Sequence, residues 1–104
     1  MTHIYFDTNK MTFHLKVTGH ADYNPGNDIV CSACSILAQT CAESVLRAQP
    51  KCDGVACGDG ICEITVTARD YSERKKLATI FDTVINGYRL LQSGYPKNVA
   101  LHTS

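Results

Sequence analysis

Phe13, Leu15 and Val17 alternate with Thr12, His14, Lys16 and Thr18. A period of two puts one set on each face of a β-strand and predicts that the apolar face is buried. This stretch, "MTFHLKVTG", follows "HIYF" across the turn-formers "DTNK", so the chain predicts a hairpin of residues 3–6 and 11–19. The strand ends at Gly19, and "HADYNPGN" reads as a loop through Pro25 and Gly26. From Asp28 the period lengthens. Ile29, Ala33, Ile36, Leu37, Cys41 and Val45 recur at helical steps and predict a helix to about Ala48, with Asp28 as N-cap and Pro50 beyond its end.

"VACGDGICEITVTA" predicts a second hairpin about Asp59-Gly60, a type I′ signal. A two-residue turn there sets Cys57 opposite Cys62 and Gly58 opposite Ile61. Val55, Cys57, Cys62, Ile64, Val66 and Ala68 then share one face, and Glu63, Thr65, Thr67 and Arg69 the other. Asp70 and Glu73 stand in capping-box spacing ahead of the stripe Leu77, Ile80, Phe81, Val84, Tyr88 and Leu91, which Gly94 and Pro96 bring to a stop. "NVALHT" is a final short strand. The order ββαββαβ predicts an α+β sandwich: a mostly antiparallel sheet packed with two helices, in a single domain over residues 1–104.

Composition narrows the function. Apolar residues make up 44% of the chain, as a folded globule requires. Ten basic residues balance ten acidic ones without a Lys/Arg-rich stretch, so direct nucleic-acid binding is not expected. The N-terminus lacks the pattern of a signal peptide and no apolar run reads as long enough to span a bilayer, so a cytoplasmic protein without a membrane partner is expected. Six cysteines would there stay reduced.

The candidate chemistry lies at Cys31. With Asp28 as N-cap, Cys31 falls in the first helical turn, where unpaired N–H groups and the helix dipole favour a thiolate. His20, eleven residues earlier at the end of a strand, is placed to act as its proton carrier, and Ser35 lies one turn on along the same helix face. Free N–H groups of that turn would also suit the oxyanion of a tetrahedral intermediate. The plain alternative is a small buried cysteine and a solvated histidine. Cys31 and Cys34 also form a C-x-x-C, which leaves a thiol-redox reading open, although no βαβ unit surrounds it. A metal site is not expected: there is one C-x-x-C, and Cys57 and Cys62 read as cross-strand neighbours. Cys41 belongs to the core. Asp28 reads first as a cap, and Tyr23 as either groove lining or loop cover.

The stretch "GHADYNPGNDIVCSACS", with its Gly-His-Ala and Asp-Ile-Val-Cys, resembles the signature of the ribosomal-processing cysteine proteases, the Prp family. The resemblance is close over positions 19–35 and extends loosely to the whole chain through its length and element order. It implies that Cys31 is the nucleophile and His20 its general base and acid, with Asp28 and Ser35 in support. Ala21, Asp22, Tyr23 and Gly26 then belong to a loop that closes over substrate. It further implies a homodimer without cofactor. The implied substrate is the precursor of large-subunit ribosomal protein number twenty-seven, which loses a short N-terminal extension. A non-catalytic ribosome-associated binding module is the alternative from a different class.

Overall fold

The alternating run in the N-terminal half becomes the central strand of a five-stranded sheet. The structure, a computed structural model, describes residues 1–58 and 60–103; Asp59 of the expected turn and Ser104 lie outside them. Strand β1 (Thr2–Asn9) pairs with β2 (Thr12–Thr18), helix α1 (Ile29–Ala48) follows, then β3 (Val55–Gly58), β4 (Ile61–Thr67), helix α2 (Tyr71–Gly94) and β5 (Val99–Thr103). The spatial order is β3-β4-β2-β1-β5, antiparallel throughout except for the β1–β5 pair.

These pairings make β3 parallel to β2, and β5 parallel to β4, so each helix is a crossover connection. The crossovers start from oppositely directed strands and travel toward opposite edges. With one common hand they land on the same face of the sheet, and α1 packs against α2 there. Ile4, Phe13, Leu15, Val17, Ile64 and Val66 line that face, and Leu77, Phe81, Val84, Ile85 and Tyr88 of α2 cover them. The Phe81 ring stacks on Phe13 at 5.2 Å between centroids. Truncating a buried ring of this kind costs about 3–5 kcal/mol, so this contact is a principal clamp between α2 and the sheet. The opposite face is polar, with His14 held between Asp7 at 3.2 Å and Glu63 at 2.7 Å.

The structure departs from expectation at several points. Strand β1 runs through Asp7, Thr8 and Asn9, which pair with His14, Phe13 and Thr12, and the turn is Lys10-Met11 with Lys10 at φ 57°. A long partner strand offers those residues a ladder, which outweighs their turn propensity. Helix α1 is also rotated from the expected stripe. Ile29 and Ile36 are 58% and 59% exposed, whereas Val30, Cys34, Ala38, Cys41, Ala42 and Val45 are buried. Small residues let α1 lie close to both the sheet and α2. A Cβ on Gly87 of α2 would sit 2.7 Å from Leu37 Cδ2, which shows how near the helices pass. By length and composition alone α1 is apolar enough to cross a membrane, contrary to the expectation that no such run exists; here its buried face is part of the core.

Asp70 caps α2 by accepting the Glu73 N–H at 2.8 Å. The Glu73 carboxylate reaches one residue further back than a capping box requires, to the Arg69 N–H at 2.9 Å. It also binds the Arg69 guanidinium and the Gln49 side-chain amide, so one acid ties the end of α1 to the start of α2. The Arg69 side chain, then its N–H, and finally the Gln49 amide outweigh the opposing desolvation and hold the Glu73 carboxyl down at about 2. A depressed folded-state pKa contributes stability above the ordinary carboxylate value, and that contribution disappears as pH falls through the folded value. Glu73→Gln is therefore expected to lower Tm at neutral pH. The gap to wild type should narrow as pH falls from about 4.5 toward about 2. Thermal melts across that range check this, and a gap independent of pH would contradict it.

Candidate active site

Gly19 ends β2 in the left-handed region, at φ 89°, with its N–H donated to the Gly60 carbonyl at 2.9 Å. A Cβ there would lie 2.5 Å from the Met1 carbonyl oxygen, so only glycine fits between β2 and the start of β1. His20 follows at once, exposed. Ala21 is buried, and its carbonyl accepts from the Asn98 side chain at 2.9 Å, which anchors the loop immediately after the histidine. Asp22, at φ 57°, places its carboxylate 3.0 Å from the N-terminal ammonium. The Tyr23 ring meets Tyr95 edge-on at 5.2 Å, and Gly26 turns the chain at φ 92°.

Asp28 then joins the loop to the helix. One carboxylate oxygen accepts the Cys31 N–H at 2.9 Å, and the other accepts the Tyr23 and Asn24 N–H groups at 2.8 and 3.3 Å. Partial desolvation pushes its pKa up, but the N–H groups of Cys31, Tyr23, Asn24 and Val30 outweigh that and hold the carboxyl below its ordinary value. The result brings Cys31 Sγ to 3.9 Å from His20 Nδ1. That is the outer edge of a sulfur hydrogen bond, and such contacts commonly tighten when substrate binds.

The pair opens into a cleft of about 520 Å³, walled by His20 and Gly60 on one side and by Cys31, Ser35 and Ala38 on the other. A shallower recess begins on the far side of Cys31 and runs past Ser32, Ser35, Ile36 and Gln39. Cys31 and Ser35 thus stand on the ridge between two hollows, and the exposed Ile36 offers an apolar surface beside them.

Of the residues singled out from sequence, the structure gathers Cys31, His20 and Ser35 at the cleft. Asp28 binds backbone N–H groups on both sides of the site and does not take up His20. Of the first-turn donors proposed for an oxyanion, the Cys31 N–H is engaged by the Asp28 side chain at 2.9 Å, and the next N–H, of Ser32, makes the first intrahelical bond to the Asp28 carbonyl at 3.1 Å. Cys34 is buried, and burial pushes its thiol up to about 11, so it stays protonated and ill suited to a dithiol exchange with Cys31. Burial pushes Cys41 up to about 12, in keeping with its place in the core. Among the described residues no cluster of three or more His, Cys, Asp or Glu side chains is placed to hold a metal.

Two contributors were not evident from sequence. Gly60 faces the imidazole, since a Cβ on it would lie 3.5 Å from His20 Nε2. Cys57 and Cys62 also line the cleft, and they are joined as a disulfide rather than left as the free thiols expected of them. The β3–β4 turn lies forty residues from His20, and only the β2–β4 pairing brings it there. No local signal predicts that pairing.

Residues 1–100 match the family model of the cysteine protease Prp. The chain belongs to the Prp cysteine protease family. Its fold is similar, over 100% of both chains, to the ribosomal processing protease Prp from S. aureus in complex with a covalently linked product peptide, at TM-score 0.82 and 19% identity. The same S. aureus protease with a substrate peptide matches at TM-score 0.78 and 17% identity, again over 100% of both chains. SMU.848 from Streptococcus mutans matches at TM-score 0.68 and 22% identity, over 100% of this chain and 96% of that one. No curated protein matches the sequence. The sandwich of five strands and two helices is thus the Prp fold, and the chain is a cysteine protease.

The geometry makes Asp28 the hinge of the site. Asp28→Ala is expected to lower Tm and to speed amide hydrogen exchange at Tyr23, Asn24 and Cys31 together, whereas Asp22→Ala leaves Cys31 protected. Residue-resolved exchange checks this. Unchanged protection at Cys31 in Asp28→Ala would show that the carboxylate does not hold the loop and the helix together.

Proposed function

We propose that this Prp-family protease is an endopeptidase of ribosome maturation in which Cys31 is the nucleophile and His20 the proton carrier. The observation that carries the reading is the 3.9 Å approach of Cys31 Sγ to His20 Nδ1 at the mouth of an open cleft, with the cysteine in the first turn of α1. The thiolate attacks the scissile carbonyl carbon, and the tetrahedral intermediate collapses as His20 gives a proton to the leaving amine. A thioester to Cys31 remains. His20 then takes a proton from water, whose oxygen attacks the thioester, and collapse releases the acid product and the Cys31 thiolate beside the protonated His20 with which the cycle began. No cofactor enters this sequence.

The substrate in this reading is a peptide segment: the short N-terminal extension of the precursor of large-subunit ribosomal protein number twenty-seven. Complexes of the structurally similar S. aureus protease with a product peptide and a substrate peptide support a peptide as ligand. The enzyme acts in the cytoplasm as a homodimer, without direct nucleic-acid or membrane contact. A binding module that keeps the fold without catalysis would have no use for a cysteine and an imidazole converging on an open cleft. The thiol-redox alternative is disfavoured by the burial of Cys34.

Cleavage of a peptide spanning the extension junction tests the assignment. Cys31→Ala and His20→Ala are each expected to lower kcat/KM by roughly a thousand-fold or more, as when one member of a coupled nucleophile–base pair is removed. Cleavage by Cys31→Ala at the wild-type rate would overturn it.

A further inference from the structure

The Cys57–Cys62 disulfide lies in the wall of the same cleft as Cys31 and His20. It joins residues opposite each other in the β3–β4 ladder, one pair before the turn. Strand β3 is a four-residue edge strand with one strand partner, β4, among the described residues, and it is the shortest strand in the sheet. The turn beyond the disulfide carries Gly60, whose carbonyl holds the Gly19 N–H at 2.9 Å and whose Cα faces His20. The covalent tie thus sits directly behind the hairpin tip on which the histidine rests. Cys57 is exposed, whereas Cys62 is only 7% exposed.

We propose that Cys57–Cys62 is a redox modification site, open to low-molecular-weight thiols, that sets how firmly the hairpin tip supports His20. The proposal rests on the Cys31–His20 reading. A small thiolate attacks the exposed Cys57 sulfur, the disulfide bond breaks, and Cys62 leaves as a thiolate that takes up a proton. A second small thiolate attacks the mixed disulfide and releases the small disulfide together with the Cys57 thiol. Two small thiols are oxidised and one protein disulfide is reduced, and a small disulfide drives the reverse. In the reduced form the edge strand keeps its ladder bonds and the core contact of Val55 but loses its covalent tie, so the Gly60–Gly19 contact opens more often and His20 is less well placed. The oxidised form is the more active one.

The test uses the full chain equilibrated in buffers of reduced and oxidised glutathione, with thiols trapped by alkylation and mapped by mass spectrometry. Cys31→Ser serves for the mapping and for amide exchange, so that the nucleophile does not enter the thiol chemistry. The pair is expected to titrate between disulfide and dithiol, with Gly19 amide exchange rising roughly ten-fold on reduction. With glutathione removed and Cys31 intact, kcat/KM of Cys57→Ser/Cys62→Ser should lie roughly ten- to a hundred-fold below that of the disulfide-containing enzyme, the scale of a group that loses its positioning but keeps its chemistry. The double variant Cys57→Ser/Cys62→Ser should show the reduced-form exchange in every buffer. A pair that stays in one state throughout, or Gly19 exchange indifferent to that state, would overturn the proposal. If the pair titrates and Gly19 responds while no peptide is cleaved in any buffer, the redox site stands and the protease assignment fails.

Discussion

Asp28 shares its carboxylate between two segments that would otherwise be independent. One oxygen caps α1 at the Cys31 N–H, and the other gathers the Tyr23 and Asn24 N–H groups of the loop that begins at His20. The loop that carries His20 and the helix turn that carries Cys31 are thereby referred to a single group, and Cys31 Sγ stands 3.9 Å from His20 Nδ1. An exposed loop has little packing to order it, so satisfied backbone donors are its main source of definition. The Ala21 anchor and the glycine-specific turn at Gly19 complete the frame at the histidine end.

The sheet supplies the rest. Crossovers in opposite directions put α1 and α2 on one face, with the N-terminus of α1 beside the end of β2. Because β4 pairs with β2, the β3–β4 turn arrives at the same place and contributes Gly60 and the Cys57–Cys62 pair to the cleft. Core and site are coupled through α1, whose Cys34 and Ala38 are buried one and two turns beyond Cys31. Tyr88 of α2 donates to the Cys34 carbonyl at 2.9 Å, which steadies that stretch of helix from the far side.

Much of this was legible in the residues. Period-two alternation placed β2 and β4, acidic caps placed both helix starts, and the first-turn position of Cys31 together with the family resemblance over positions 19–35 pointed to Cys31 and His20. The buried face of α1 was not legible, because the largest apolar residues, Ile29 and Ile36, are exposed while cysteine and alanine pack the core. Close helix approach selects small side chains, and a hydrophobicity pattern does not weigh them. The length of β1 was hidden by turn-forming residues that a long partner strand overrode. The contributions of Gly60 and the Cys57–Cys62 disulfide depend on strand order and on sulfur chemistry. The two-residue turn showed that Cys57 and Cys62 are neighbours, but not that they are bonded.

In the proposed pair, His20 activates Cys31. The most direct measurement is the alkylation rate of Cys31 near neutral pH, by mass spectrometry, in the wild type and in His20→Ala. Cys52, a partly exposed free thiol outside the site, serves as the internal reference. Wild-type Cys31 is expected to react much faster than Cys52, and His20→Ala to remove most of the difference. Equal rates for the two thiols in the wild type, or a fast Cys31 unaffected by loss of the imidazole, would contradict it.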